Sequence, residues 1–324
     1  MEVDPIPFET FASFERLTAE EPLLSVEPPA WAAAAHAIVV DEQVHYLWAK
    51  KTAEDFWVLM HSWAPTSNPT AVSHDPRNPI VSPAAEGFDS RDVEYPFPFH
   101  NPIDDRYYMY YLGNQQMPRS KQTGLLISEG DLGSWTRIGS GPVVARAGSH
   151  EESGCSHPSV TVDGDTIHMV YTGERPAPPE RKEILYNVPT ICHATAPISD
   201  PAHVTKNPVN PVFSGSGQGW DRYGVREAEI LKGPGYFDIF YGGYDGTEWT
   251  IGHVRTRDFI KFEPNPYNPI FRPSSNPQAW DSSGLLTPQV FVMNSTYHMI
   301  YAGLKGTGWN RVSEVQSGLA VART

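Results

Sequence analysis

The sequence predicts an all-β protein built as a five-bladed β-propeller, and three observations carry that prediction. A strand phrase recurs at a near-constant interval, turn-forming dipeptides recur between its copies, and the two ends of the chain read as parts of one unit. The phrase "YYMYYLG" ending at Gly113 returns as "IHMVYTG" ending at Gly173, "YFDIFYGG" through Gly242 and Gly243, and "YHMIYAG" ending at Gly303. A degenerate copy, "VHYLWAK", surrounds Trp48. Five units of about 62 residues nearly fill the chain, a period that suits repeated blades of up to four short strands.

Within each unit the elements follow in order. Turns are marked by Asn78-Pro79-Ile80, Gly141-Pro142-Val143, Asn210-Pro211-Val212 and Asn268-Pro269-Ile270. Three units continue with an aromatic-Asp pair, Phe88-Asp89, Trp220-Asp221 and Trp280-Asp281, where a repeated Asp suits a turn or cap better than chemistry. After each glycine phrase comes a further strand, seen as "TGLLIS", "TICHATA", "TIGHVRT" and "SGLAVAR". The last unit stops at Thr324 directly after that strand, while "FERLTAEEPLL" (14–24) reads like the outer-strand phrase "WTRIGSGPVV" (135–144). Residues 14–17 are therefore expected to complete the fifth blade, which closes the ring and removes an exposed sheet edge. The whole of 1–324 is expected to be one propeller domain.

Composition narrows the function. The 9 Trp, 15 Tyr, 14 Phe, 31 Pro and 26 Gly suit short strands and tight turns. A net charge of −14 without a Lys/Arg cluster argues against nucleic acid and anionic membrane surfaces as partners and favours a neutral ligand such as a small carbohydrate. "MEVDPIPFET" lacks a basic region followed by an apolar run, and no stretch approaches a membrane span, so a soluble, cytoplasmic protein is expected. Cys155 and Cys192 are too few for a disulfide framework, and no metal-binding spacing surrounds them or the histidines. Neither a metal nor a cofactor is expected.

In a propeller the innermost strand of each blade lines a central channel, and a polar residue at its start is placed for chemistry. Aligning the units puts Ala35, Tyr95, His157, Glu227 and Thr287 in register, with Glu94, Ser156, Arg226 and Leu286 one step earlier. This makes Glu227 the leading catalytic candidate, with Arg226 beside it to bind substrate or neutralise it. His157, whose ordinary pKa lies near neutrality, is a candidate proton carrier or partner for sugar hydroxyls. Further carboxylates stand at Asp92 and Glu94 in "FDSRDVEYP" and at Glu151 and Glu152 in "SHEESGCSHPS". Tyr95, His36, Glu152, Trp220 and Thr287 complete the substrate-binding candidates, and Trp31 and Trp309 could stack on sugar rings.

The strand "EAEILKGPGYF" carries a resemblance. Glu227, Ala228, Ile230, Leu231, Lys232, Gly235 and Tyr236 resemble the fourth-blade strand of glycoside hydrolase family 43, to which families 32, 62, 68, 117 and 130 are architecturally related. The resemblance implies that Glu227 is a general acid. The family opens its first blade with an Asp base and its third with an Asp-Pro that orients the acid, whereas this chain has Ala35 and His157-Pro158 there. What it implies is a glycoside hydrolase or transglycosidase acting on a short glycoside, furanosides included, with Glu94 or Asp92 as the replacement base. Two other readings stand beside it: a carbohydrate-binding propeller without catalysis, and a phosphorylase like those of family 130. The phosphorylase would need a cationic pocket from Arg119, Lys121 and Arg226.

Overall fold

The computed structural model describes residues 4–116, 120–182, 184–306 and 312–323. Five four-stranded antiparallel sheets follow one another along the chain. Blade one comprises Trp31–Val40, Gln43–Lys51, Trp57–Pro65 and Ser73–His74. Blade two comprises Asp92–Asn101, Arg106–Asn114, Gln122–Ser128 and Thr136–Arg137, and blade three Gly154–Asp163, Thr166–Pro176, Asn187–Pro197 and Thr205–Lys206. Blade four comprises Gly224–Gly233, Tyr236–Tyr244, Trp249–Thr256 and Phe262–Pro264. Blade five takes Gly284–Met293, Thr296–Gly306 and Val312–Ala322 and receives its outer strand, Phe14–Arg16, from the other end of the chain. Each blade packs on the next and the fifth packs on the first. The protein is an all-β, five-bladed propeller closed as the sequence led us to expect.

A shared latch explains why the sequence repeats. In blade two Tyr111 donates its hydroxyl hydrogen to Asp89 (2.8 Å), in blade four Tyr241 to Asp221 (3.1 Å), and in blade five Tyr301 to Asp281 (3.1 Å). These buried carboxylates sit beside Phe88, Trp220 and Trp280, whose rings lie over glycines of the two neighbouring strands. A Cβ on Gly252 would come within 2.0 Å of Trp220, so only glycine allows the approach. The aromatic-Asp pair and the glycine phrase are thus two halves of one contact, and Trp220 is consumed by it rather than presented to a ligand.

Ring closure reuses the same device. Arg137, on the outer strand of blade two, donates from Nε to Asp89 (2.7 Å) and from a terminal nitrogen to the Ser82 carbonyl (2.7 Å). Arg16 does the same in blade five, donating to Asp281 (2.6 Å) and to the Arg272 carbonyl (2.6 Å). Phe14, Glu15 and Arg16 pair with Ala322, Val321 and Ala320. A strand of three residues has little ladder of its own, so this arginine and the burial of Phe14 seat it.

Each innermost strand carries the same two-against-one bulge. In blade four the pairing runs Arg226 to Gly242 and then Glu229 to Phe240, so Glu227 and Ala228 face Tyr241 alone. The other blades repeat this with Tyr95-Pro96, His157-Pro158, Thr287-Pro288 and, in blade one, Ala34-Ala35. The first residue of every pair is left-handed, with φ of 51° at Ala34, 50° at Tyr95, 55° at His157, 55° at Glu227 and 48° at Thr287. Three of the second residues are proline, which lacks the N–H that a bulge would leave unpaired. This corrects the sequence register in blade one: Ala34, not Ala35, is the counterpart of Glu227, and Ala35 is buried in an apolar cluster with Tyr46 and Trp48. A left-handed non-glycine residue costs roughly 1–2 kcal/mol, and the ring repeats that strain where side chains enter the channel mouth.

Candidate active site

The bulges of blades two, four and five open onto a cavity of 490 Å³. Its polar side is made by Glu94, Tyr95 and Lys121 from blade two, Arg226 and Glu227 from blade four, and Thr287 from blade five. Its other side is apolar, from Leu286, Ala302, Leu304, Val312 and Val315 with Ala33 of blade one. Trp31 and Trp57 stand at the rim, ring centroids 6.2 Å apart, and Lys51 lies 4.5 Å over Trp31.

Glu227 is 2% exposed and held on several sides. Arg226 Nε is 2.7 Å and His157 Nε2 3.2 Å from its Oε1, and the Tyr95 hydroxyl donates to the same oxygen at 3.4 Å. The backbone N–H of Glu227 donates to Thr172 Oγ1 (2.9 Å), which helps to fix the left-handed turn. Burial pushes this carboxyl upward, but the Arg226 guanidinium and then His157 outweigh it, and the group is held down at about 2.

Behind Glu227 lies a second carboxylate that sequence reasoning missed. Glu174 receives Lys121 Nζ (3.0 Å), Ser156 Oγ (3.0 Å) and Asn187 Nδ2 (3.0 Å), with a terminal nitrogen of Arg226 4.0 Å away. Burial works against its ionisation, yet Lys121 and Arg226 hold its carboxyl far below the usual range. One signal was available: Glu174 directly follows the glycine of "VYTG", where the other units carry Asn114, Tyr244 and Leu304.

Glu94 behaves in the opposite way. It is 8% exposed, lines the cavity, and has no hydrogen-bond partner for its carboxyl group among the described residues. Burial, opposed by Lys121 and reinforced by Asp92, Glu174 and Glu227, pushes it up to about 8. Two carboxyl groups on one cavity therefore stand in opposite protonation states at neutral pH.

The remaining candidates sort by position. His157 sits between Ser156 Oγ (2.5 Å from Nδ1) and Glu227, its ring 3.7 Å from that of Tyr95, and burial pushes it down to about 4. It is neutral at pH 7 and braces Glu227 rather than lining the cavity. Thr287 presents a buried hydroxyl without a hydrogen-bond partner among the described residues. Four candidates fall elsewhere. Asp92 is fully buried and committed to the Trp57 N–H (3.1 Å), Asn114 (2.8 Å) and Arg91, so it is a structural carboxylate and not a replacement base facing the cavity. His36 lies one bulge step deeper and pairs with Glu229 at 2.6 Å. Glu152 is exposed outside the cavity, and Trp220 belongs to the blade-four latch. Lys121 and Arg226, the phosphate candidates, are each engaged with a carboxylate; Arg119 and Trp309 lie outside the described residues.

A five-bladed propeller with a carboxyl-lined cavity at its channel mouth is the class that fold and site define. No family model matches this sequence, nor does any curated protein. Solved structures do match over nearly the whole chain. A structure described as a glycoside hydrolase aligns with a TM-score of 0.74 at 14% identity, covering 95% of this chain and 92% of that one. A glycosyl hydrolase from Bacteroides ovatus aligns with a TM-score of 0.70 at 16% identity, covering 98% and 95%. A thermostable family-43 glycoside hydrolase aligns with a TM-score of 0.66 at 12% identity, covering 91% of each chain. At these identities the likeness is one of fold, and function has to be argued from the site.

Proposed function

We propose that this protein is a glycosidase that cleaves a short glycoside in the channel-mouth cavity, with Glu94 as general acid and Glu227 as the ionised partner. The observation that carries this reading is the divergence of two carboxyl groups on one cavity, one pushed up to about 8 and one held down at about 2. Glycoside cleavage needs such a pair: a protonated carboxyl for the leaving oxygen and a carboxylate for the positive charge that develops at the anomeric carbon. The assignment exchanges the roles that the resemblance to family 43 implied, because Arg226 and His157 leave Glu227 no proton to give. The structural neighbours described as glycoside hydrolases support the class.

In the proposed step the Glu94 proton passes to the glycosidic oxygen as the C–O bond breaks. The Glu227 carboxylate either bonds to the anomeric carbon or takes a proton from the attacking water. Tyr95 and His157 steady that carboxylate, the Thr287 hydroxyl is available to a sugar hydroxyl, and Trp31 and Trp57 offer ring faces. Furanosides are the first class to screen, with pyranosides beside them, and the anomer released, read by NMR, separates retention from inversion.

The leaving group tests the assignment. Positioned acid catalysis contributes about 10²–10⁴-fold. Glu94→Gln should lose activity of that order on alkyl glycosides but much less on aryl glycosides whose phenol departs unprotonated. Glu227→Gln should lose both alike. The reverse pattern would return the acid role to Glu227, and full activity in both variants would remove the site from the reaction.

A further inference from the structure

Blade three departs from the latch of its neighbours at three positions together. Where blades two, four and five place Phe88, Trp220 and Trp280, blade three has His150; where they place Asp89, Asp221 and Asp281, it has Glu151. Where they set Gly124, Gly252 and Gly318 opposite the latch tyrosine, it sets Cys192 opposite Tyr171. Elsewhere this spot holds a ring over a glycine. Here it gathers an imidazole nitrogen, a carboxylate oxygen and a thiol sulfur, all within 4.8 Å of one another.

The latch itself is intact. Tyr171 donates to Glu151 Oε1 (2.7 Å), Lys206 holds Glu151 Oε2, and the Ala147 N–H donates to Oε2 (2.7 Å). His150 adds something the latch does not use. Its Nε2 is buried, makes no hydrogen bond among the described residues, and lies 3.5 Å from Glu151 Oε1. The His150 side chain is 25% exposed, which leaves a path to solvent. Gly173 keeps the space open, since a Cβ there would sit 2.8 Å from Cys192 Sγ.

We propose that blade three carries a metal site in which His150 Nε2, Glu151 Oε1 and Cys192 Sγ take one Zn²⁺ or a similar borderline divalent transition ion. An N, O and S donor set suits such an ion and not Mg²⁺ or Ca²⁺. Glu151 Oε1 has two lone pairs, so it can keep the Tyr171 hydrogen bond and still ligate. Binding releases the Cys192 thiol proton to solvent, so affinity rises with pH. The site lies next to the active-site strand, because Gly173 directly precedes Glu174. Sequence spacing hides it: two ligands are adjacent, and the third arrives on another strand.

Co²⁺ titration of the metal-free full chain tests this, because a thiolate ligand gives a near-ultraviolet charge-transfer band. One equivalent should produce the band, Zn²⁺ should bleach it, and Zn²⁺ should raise the melting temperature by a few degrees. The triple variant His150→Phe, Glu151→Asp, Cys192→Gly rebuilds the blade-two latch and should fold without band or Zn²⁺ shift. Should it not fold, two single variants decide: Cys192→Ser should abolish the band and Cys155→Ser should retain it. No band in the parent chain, a band that survives in the triple variant or in Cys192→Ser, or one that depends on Cys155 overturns the site.

Discussion

At the bulge of blade four, Arg226 and Glu227 bring two full charges to the channel, whereas at the same bulge of blade one stand Ala33 and Ala34. The backbone is shared down to the left-handed residue, with φ of 55° at Glu227 and 51° at Ala34. What differs is what each neighbourhood can support. Glu227 is held ionised by Arg226 and then by His157, with the Tyr95 hydroxyl on the same oxygen, while Ala34 lies in an apolar cluster with Leu47, Met109 and Leu126. The comparison teaches that the propeller repeats a way of aiming side chains, and that a charge stands there only where its own strand supplies a counter-charge and neighbouring blades add hydrogen-bonding partners.

The largest effect should come from breaking the blade-four pair. Arg226→Ala leaves a buried carboxylate short of its main counter-charge and should cost about 3–5 kcal/mol. Arg226→Ala with Glu227→Ala makes blade four read as blade one, and it should recover most of that stability while staying inactive. Chemical denaturation of the two variants checks this; a double variant no more stable than the single would show that blade four cannot adopt the blade-one solution.

Glu94 sharpens the comparison through pH. Its folded-state pKa of about 8 lies above the ordinary 4.5, so the fold favours the protonated form. Its ionisation therefore opposes folding progressively from about pH 4.5 to about 8 and at a constant level above. The melting-temperature difference between Glu94→Gln and the parent should widen in favour of the variant across that window and then level off. On the proposed assignment, kcat/KM of the parent should fall above about pH 8 as the acid loses its proton. A stability difference flat with pH would mean that Glu94 titrates as an ordinary solvated carboxyl.

A smaller effect is expected where blades two and five match. Arg16→Ala and Arg137→Ala each remove a charged hydrogen bond from a buried carboxylate that keeps its tyrosine, for about 2 kcal/mol apiece. Loss in Arg137→Ala with none in Arg16→Ala would mean that the N-terminal strand does not seat blade five in solution.

Much of this was legible in the chain. The repeat was readable from the glycine phrases, and ring closure because Arg16 repeats the context of Arg137; the latch was not, since the repeated Asp reads as a turn or cap until the tyrosines on another strand are seen to donate to it. In blades two, three and five a proline, Pro96, Pro158 or Pro288, directly follows the channel position, whereas the run of alanines in blade one offers nothing to anchor the alignment, which is why its register slipped by one. The sequence alone thus determined the repeat, the blade count and the positions aimed at the channel, since these follow from local turn chemistry and pattern. Only the tertiary structure decided which of those positions are charged, and which donors meet at Cys192. Protonation and ligand geometry depend on groups brought close from other strands: Lys121, Glu174 and Glu227 around Glu94, His157 and Tyr95 around Glu227, and His150 beside a thiol on another strand. No spacing along one chain encodes those distances.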